Sequence, residues 1–125
     1  MIVASPPCRE FSLHDMPWSR GKVAPPDMTI VNACFRIREE AKPRLFLLEN
    51  VRGAQPFLGK AIAHHGPFYF WGDAALLPWI PTIWKDHRHI KSPAERAKIP
   101  FPLAYAIAQI FISSRKRTDE KEVYA

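Results

Sequence analysis

Two short stretches carry the residue types that chemistry needs. The first is Ala4-Ser5-Pro6-Pro7-Cys8-Arg9-Glu10-Phe11-Ser12, which follows a brief apolar run, Ile2-Val3-Ala4. Each proline fixes φ and keeps the residue before it out of helical space, so the backbone approaching Cys8 is stiff. A stiff approach suits a side chain that must hold one position against a substrate. The second stretch is Arg44-Leu45-Phe46-Leu47-Leu48-Glu49-Asn50-Val51. Its continuous apolar run reads as a strand buried on both faces, ending in Glu49 and Asn50. A thiol can act as a nucleophile and a carboxyl group as a general acid. In parallel sheets such groups gather just beyond the carboxyl ends of strands, where Cys8 and Glu49 would both fall.

The elements that must position this pair follow from the pattern. Met1–Ala4 reads as a short strand. Residues 9–26 read as an irregular loop containing Trp18, Arg20 and Lys22. Pro25-Pro26-Asp27 opens a helix with Asp27 as N-cap, and Ile30, Cys34, Ile37 and Ala41, joined by Val31 and Phe35, mark its apolar face to about residue 41. Pro43 stops it, and the strand over residues 44–50 follows. Strand, helix, strand is a βαβ unit with a right-handed crossover and parallel pairing. Residues 56–65 read as a second helix with Gly66 at C′ and His64 and His65 in its last turn. Phe68–Trp71 reads as a third strand, closed by Gly72-Asp73. Residues 74–98 are Pro-rich, then basic. Pro102 opens a final helix with Leu103, Ile107, Ile110 and Phe111 on its apolar side. The charged segment from Ser113 to Ala125 reads as a frayed tail.

The Pro-Pro-Cys-x-x-Phe-Ser pattern of residues 6–12 and the Glu49-Asn50-Val51 tripeptide resemble the nucleophile loop and second catalytic motif of the DNA cytosine-5 methyltransferase family. Ile99-Pro100-Phe101-Pro102-Leu103-Ala104 resembles the Pro-x-x-Leu-Ala motif that opens that family's last helix. The resemblance implies a partial, Rossmann-like, mostly parallel α/β sheet with flanking helices, lacking the first strands. Residues 1–112 would be the partial catalytic domain and 113–125 the tail. It implies methyl transfer from S-adenosylmethionine to carbon 5 of cytosine in DNA. Cys8 would attack carbon 6, and Glu49 would contact the ring nitrogen and exocyclic amine. Pro7 belongs to the substrate loop, Ser12 matches a serine that touches backbone phosphate, and Asn50 one that braces the loop. Pro100 and Leu103 fall at positions near the cofactor. The target base must leave the DNA stack to reach Cys8. Glu49, at the end of an apolar strand, should be partly desolvated and so inclined to its protonated form, with Arg52 opposing that shift.

The family's cofactor turn, Phe-x-Gly-x-Gly, is not in this sequence, where the five glycines stand apart at 21, 53, 59, 66 and 72. The Gln-x-Arg-x-Arg motif is also missing, with His87-Arg88-His89 its nearest stand-in. Arg9 replaces the usual Gln after the cysteine, and Arg96-Ala97 replaces Gly-Asn before the last motif. Three explanations fit: the carboxyl-terminal part of a longer or split enzyme, which is favoured, an inactive DNA-binding descendant, or a nucleotide-level pyrimidine-modifying enzyme. An exposed first-strand edge would recruit a second chain carrying the cofactor-binding half, or a second copy.

Bulk properties bound these readings. A chain of 125 residues with 47% hydrophobic and 24% charged residues reads as one small globular domain. A net charge of +6 favours an acidic partner, nucleic acid first. Residues 85–98, including Arg88, Lys91 and Lys98, form either a solvated face or a phosphate-binding strip, the latter preferred. Trp71, Trp79 and Trp84 read as packing groups before base-stacking ones. Two cysteines, Cys8 and Cys34, make no disulfide framework, and Cys34 reads as helix core. His64, His65, His87 and His89 match no zinc spacing, so no metal is expected. The longest apolar run, Leu103–Ile112, is too short for a membrane span, and a cytoplasmic location is the default expectation.

Overall fold

The computed structural model describes residues 1–78, 92, 94–95 and 98–123, with side chains through Arg115. Two compact units divide it, Met1–Ala75 and Leu76–Ala125.

The first unit is an α/β layer around a four-stranded mixed sheet of order β1-β2-β4-β3. Strand β1, Ile2–Ala4, lies parallel to β2, Phe46–Asn50, with Ile2 opposite Phe46 and Ala4 opposite Leu48. All five residues of β2 are buried, as its unbroken apolar run requires. Helix α2, Thr29–Ala41, is the crossover between them, which establishes the βαβ unit. The N-cap is Met28 rather than the expected Asp27, but Asp27 Oδ1 still accepts the Thr29 N–H at 2.8 Å from one residue earlier. The helix ends on Lys42, which takes a left-handed φ of 42° before Pro43.

The inward face of α2 is rotated from the expected one. Val31 is buried and Cys34 and Phe35 pack on the core, but Ile30 and Ile37 remain 53% and 45% exposed. Met28 fills the inner side instead, and the Arg38 guanidinium lies 5.4 Å from the Phe46 ring centroid. A long cationic side chain can cover apolar surface with its stem, so the buried stripe need not follow every isoleucine.

Two further expectations are corrected. Residues 9–26 are not wholly irregular, because Arg9–Asp15 form helix α1, which buries Phe11. Nor do residues 56–65 form one helix. Helix α3 is only Gln55–Leu58, and Gly59, at φ 88°, ends it. The chain then enters β3, Ala63–His65, which pairs antiparallel with β4, Phe68–Gly72. Gly66-Pro67 is the two-residue turn, with His65 opposite Phe68 and Gly66 at φ 57°. Glycine at the first central position suits a primed hairpin turn. His64 and His65 therefore sit on a strand, and His64 stacks on Tyr69 with centroids 4.8 Å apart. Because β4 also runs antiparallel to β2, only the β1–β2 pairing is parallel, and the sheet is mixed where a mostly parallel one was expected.

Asp73 closes the sheet by a reciprocal pair. Its carboxylate accepts the Phe46 N–H and its own N–H donates to the Phe46 carbonyl, each at 2.8 Å. Trp71 is buried, and its indole N–H donates to the Gly59 carbonyl at 2.9 Å, so it is a packing group.

In the second unit the last helix, α4, runs Phe101–Val123 and so continues through the segment read as a tail. Pro102 stands in its first turn, and the Pro100 carbonyl accepts the N–H groups of Leu103 and Ala104. No helix among the described residues is long and apolar enough to cross a membrane.

Candidate active site

The loop bearing Cys8 and the carboxyl end of β2 are joined by side chains. In the parallel register Ala4 is opposite Leu48, which brings Ser5 alongside Glu49. The Ser5 hydroxyl donates to Glu49 Oε2 at 2.5 Å, and Glu49 is only 8% exposed. Asn50, at 1% exposure, donates its amide Nδ2–H to the Pro6 carbonyl at 3.1 Å and accepts the Val51 N–H on Oδ1 at 2.9 Å. Pro6 is followed by another proline that has no N–H, so the loop depends on side chains for much of its anchoring.

Cys8 is half-buried and sits at the head of α1, where its carbonyl accepts the Ser12 N–H at 2.9 Å. Ser12 thus lies one turn from the thiol on the same side of the helix. Pro7 is exposed beside it.

The segment after Asn50 locks onto the same helix. Arg52–Ala54 form a 3-10 turn, and Arg52 Nε donates to Asp15 Oδ2 at 2.9 Å. That carboxylate, by hydrogen bond and then by charge, raises the Arg52 guanidinium above its usual range. Arg52 is therefore committed to Asp15, which alters its expected role as a charge opposing protonation of Glu49. Gly53 is buried, and a Cβ there would lie 2.2 Å from the Phe11 carbonyl oxygen and 3.1 Å from Asp15 Cβ. Only glycine lets the two backbones approach so closely. The stretch from Glu49 to Gly53 thus makes four successive attachments: Ser5, Pro6, Asp15 and the α1 backbone.

At the other side of the loop, Glu10 Oε2 accepts the Asp27 N–H at 2.5 Å and ties α1 to the start of α2. Pro6, Pro7, Arg9, Glu10, Asp27 and Ile30 line a cleft of about 260 Å³ between them. The Asp27 carboxyl is held below its ordinary range by the Thr29 hydrogen bonds.

Of the sequence-derived candidates, Pro7, Cys8, Ser12, Glu49 and Asn50 all belong to the first unit. Pro100 and Leu103 belong to the second, with Leu103 fully buried. Arg88 and Lys91, with His87, His89, Trp79 and Trp84, lie outside the described residues. The sequence does not point to Ser5, Asp15 or Gly53 as parts of this arrangement, and gives Arg52 only as a charge near Glu49. Ser5 adjoins the prolines, but its partner depends on strand register. The role of Gly53 depends on a close approach that spacing does not encode.

The glycines test whether a methyl-donor cradle is present. The Cβ positions of Gly53 and Gly72 are filled by the chain's own Phe11 and Phe46 carbonyls. Gly66 serves the hairpin turn, and Gly21 and Gly59 face open space without following a strand. The residue after β1 is Ser5, and prolines follow it. Among the described residues there is no glycine cradle that fits S-adenosylmethionine.

No curated protein and no solved structure matches the chain. Residues 1–58, a little under half of it, match the family model described as C-5 cytosine-specific DNA methylase. The matched range contains both the Pro-Pro-Cys loop and Glu49-Asn50, and it ends with helix α3, before the Pro100–Ala104 stretch.

Proposed function

We propose that the first unit is the base-attacking part of a DNA cytosine-5 methylase. The family match over residues 1–58 supports a methylase-like function. The observation that carries the site reading is the pair of hydrogen bonds, Ser5 to Glu49 and Asn50 to Pro6, that join the nucleophile loop to the acid-bearing strand.

The chemistry follows from the two side chains. The Cys8 thiolate adds to carbon 6 of an extruded cytosine, forming a sulfur–carbon bond. The electrons of the 5,6 double bond shift through the ring to nitrogen 3, which takes a proton from Glu49. Carbon 5 is then the nucleophilic carbon of an enamine. With no methyl donor it takes a proton from water. Loss of the original hydrogen to water and expulsion of the thiolate restore cytosine, and Glu49 recovers its proton. The net result is exchange of the carbon-5 hydrogen with solvent. S-adenosylmethionine would supply the methyl group in the full reaction. A second chain docked along β1, an edge strand of the sheet, would supply the cradle.

Exchange tests the reading without the cofactor. An oligonucleotide tritiated at cytosine carbon 5 is incubated in excess with the chain, and tritium in water is counted. Release by the native chain and none by Cys8→Ala is the expected result. Glu49→Gln should slow release about 10²-fold or more, the usual scale for general acid catalysis. A folded, DNA-saturated native chain that releases no tritium overturns the assignment of Cys8.

A further inference from the structure

A second concave surface lies at the carboxyl end of α1. It is an open groove of about 550 Å³, lined by His14, Asp15, Arg52, Gln55, Pro56 and Lys60. Its polar groups can be sorted by what they already bond. Both oxygens of the Asp15 carboxylate are engaged, one by Arg52 Nε at 2.9 Å and the other by Arg20 at 3.6 Å. Gln55 Oε1 accepts the Ala61 N–H at 3.1 Å. His14 Nε2 lies 2.9 Å from the Ala24 carbonyl, and its ring packs edge-on against Phe57. Among the described residues, the groups left over are donors: the Lys60 ammonium, the terminal nitrogens of Arg52 and the Gln55 amide nitrogen. Arg52 is held by Nε, so the rest of its planar fork is pre-oriented for an oxyanion.

We infer that this groove binds a backbone phosphodiester of the DNA strand whose cytosine reaches Cys8, with Lys60 and Arg52 as its contacts. The inference rests on the reading of Cys8 given above. Helix α1 sets the spacing. Its seven residues, Arg9–Asp15, separate Cys8 from the groove. At about 1.5 Å per residue that is about 10 Å, near enough for a phosphate of the strand that carries the extruded cytosine to reach the groove. The same ion pair that fixes α1 against the Glu49 strand end therefore also presents the phosphate contact, so register on the backbone and position of the thiol are set by one element. The overall charge of +6 attracts the same partner. An acidic protein segment would meet the same donors, but nothing would bring it into register with Cys8.

The test is the salt dependence of binding to a short cytosine-containing duplex. Each phosphate contact adds about 0.9 to the slope of log affinity against log salt. Lys60→Gln should lower the slope by about that amount, so across a fourfold rise in salt the variant loses about 3-fold less affinity than the native chain. Lys42→Gln removes an equal charge at the end of α2 and serves as the control, with the native slope expected. Arg52→Lys, which retains charge and loses the fork, should weaken binding at every salt concentration. A Lys60→Gln slope equal to the native one overturns the groove assignment, as does an equal fall in the Lys42→Gln variant. Tritium release by the native chain is measured alongside. Release with an unchanged Lys60→Gln slope removes the groove alone. No release by the saturated native chain removes the Cys8 reading, and a Lys60-dependent slope would then describe a DNA-binding surface without that register.

Discussion

The two sides of the β1–α2–β2 unit differ in how completely the chain satisfies them. At the carboxyl end of β2 every step has an internal partner: Glu49 with Ser5, Asn50 with Pro6, Arg52 with Asp15, and Gly53 against the Phe11 carbonyl. Elsewhere Val3 of β1 and, across the sheet from it, Ile30 and Ile37 of α2 stay between 41% and 53% exposed. The first arrangement is one of polar, directional contacts around two candidate catalytic side chains. The second is apolar and undirected. A site needs its reacting groups fixed within fractions of an ångström, which polar contacts and close backbone approach achieve. An apolar stripe fixes little by itself and suits docking.

The sharpest way to break the closed side is Gly53→Ala. A methyl group 2.2 Å from the Phe11 carbonyl must push α1 away from the 3-10 turn. Overpacking of this kind costs about 1–3 kcal/mol, sometimes more. The thermal midpoint should fall, and tritium release should fall further than the folded fraction. Gly72→Ala is the comparison. Its Cβ would meet the Phe46 carbonyl at 2.4 Å, and its φ of 87° disfavours any side chain. It should destabilise similarly while the folded fraction retains native release, because Gly72 is remote from the loop. Equal catalytic losses in both variants would mean that the α1 contact has no special role in placing Cys8.

Asn50→Ala comes next. It leaves the Pro6 carbonyl and the Val51 N–H without their side-chain partner in a buried site, at a cost of about 1–3 kcal/mol. Its more telling effect is on the loop. The Cys8 thiol should react faster with a small alkylating reagent than in the native chain, because Pro6 is no longer tethered. Native reactivity would show that Asn50 does not brace the loop.

These contrasts also explain what could be read without coordinates. The βαβ unit was legible because β2 is a continuous apolar run and Pro43 marks the end of the helix. The position of Glu49-Asn50 at a strand end is legible because the apolar run stops there, and that of Cys8 because prolines close the short strand before it. Strand β4 is legible as the run Phe68–Trp71, but its partner β3 is not, because residues 56–65 carry one interior glycine, Gly59, and Gly66 reads as the residue after a helix rather than as the start of a turn. Helix α1 was missed because its seven residues show one buried apolar group, Phe11, too little for a period to emerge. The inward face of α2 was misjudged because the apolar residues outnumber the positions the sheet can cover.

A smaller effect concerns the hairpin and pH. Burial, and then the neighbouring charge of His64, lower the His65 pKa below its usual 6.5. Between that lowered value and the unfolded one, the unfolded chain binds more protons, so stability rises with pH through this window. His65 therefore contributes its full stability above pH of about 6.5, and the contribution is lost as pH falls toward the lowered folded value. His65→Gln should flatten this part of the pH–stability curve and leave the alkaline side unchanged. A slope that persists in the variant would assign it to another group.

The smallest expected change is on the open side. Ile30→Lys with Ile37→Lys replaces two exposed isoleucines on one stripe of α2. Exposed substitutions away from special contacts usually alter stability by less than about 0.5 kcal/mol, so thermal melts of the isolated chain should scarcely move. Sedimentation gives the other half of the comparison. If the chain that docks along β1 also covers the exposed stripe of α2, the double variant should not assemble with it, while Lys60→Gln, on the groove, should assemble normally. Tritium release by the isolated chain should survive the isoleucine changes, since they leave the contacts of Glu49, Asn50 and Arg52 intact. Loss of release with an unchanged melting curve would instead place the stripe within reach of the base, beside the cleft that Ile30 already lines with Pro6 and Pro7. In that outcome the division between a closed catalytic side and an open docking side would fail at Ile30, and the cleft between the loop and α2 would become part of the site.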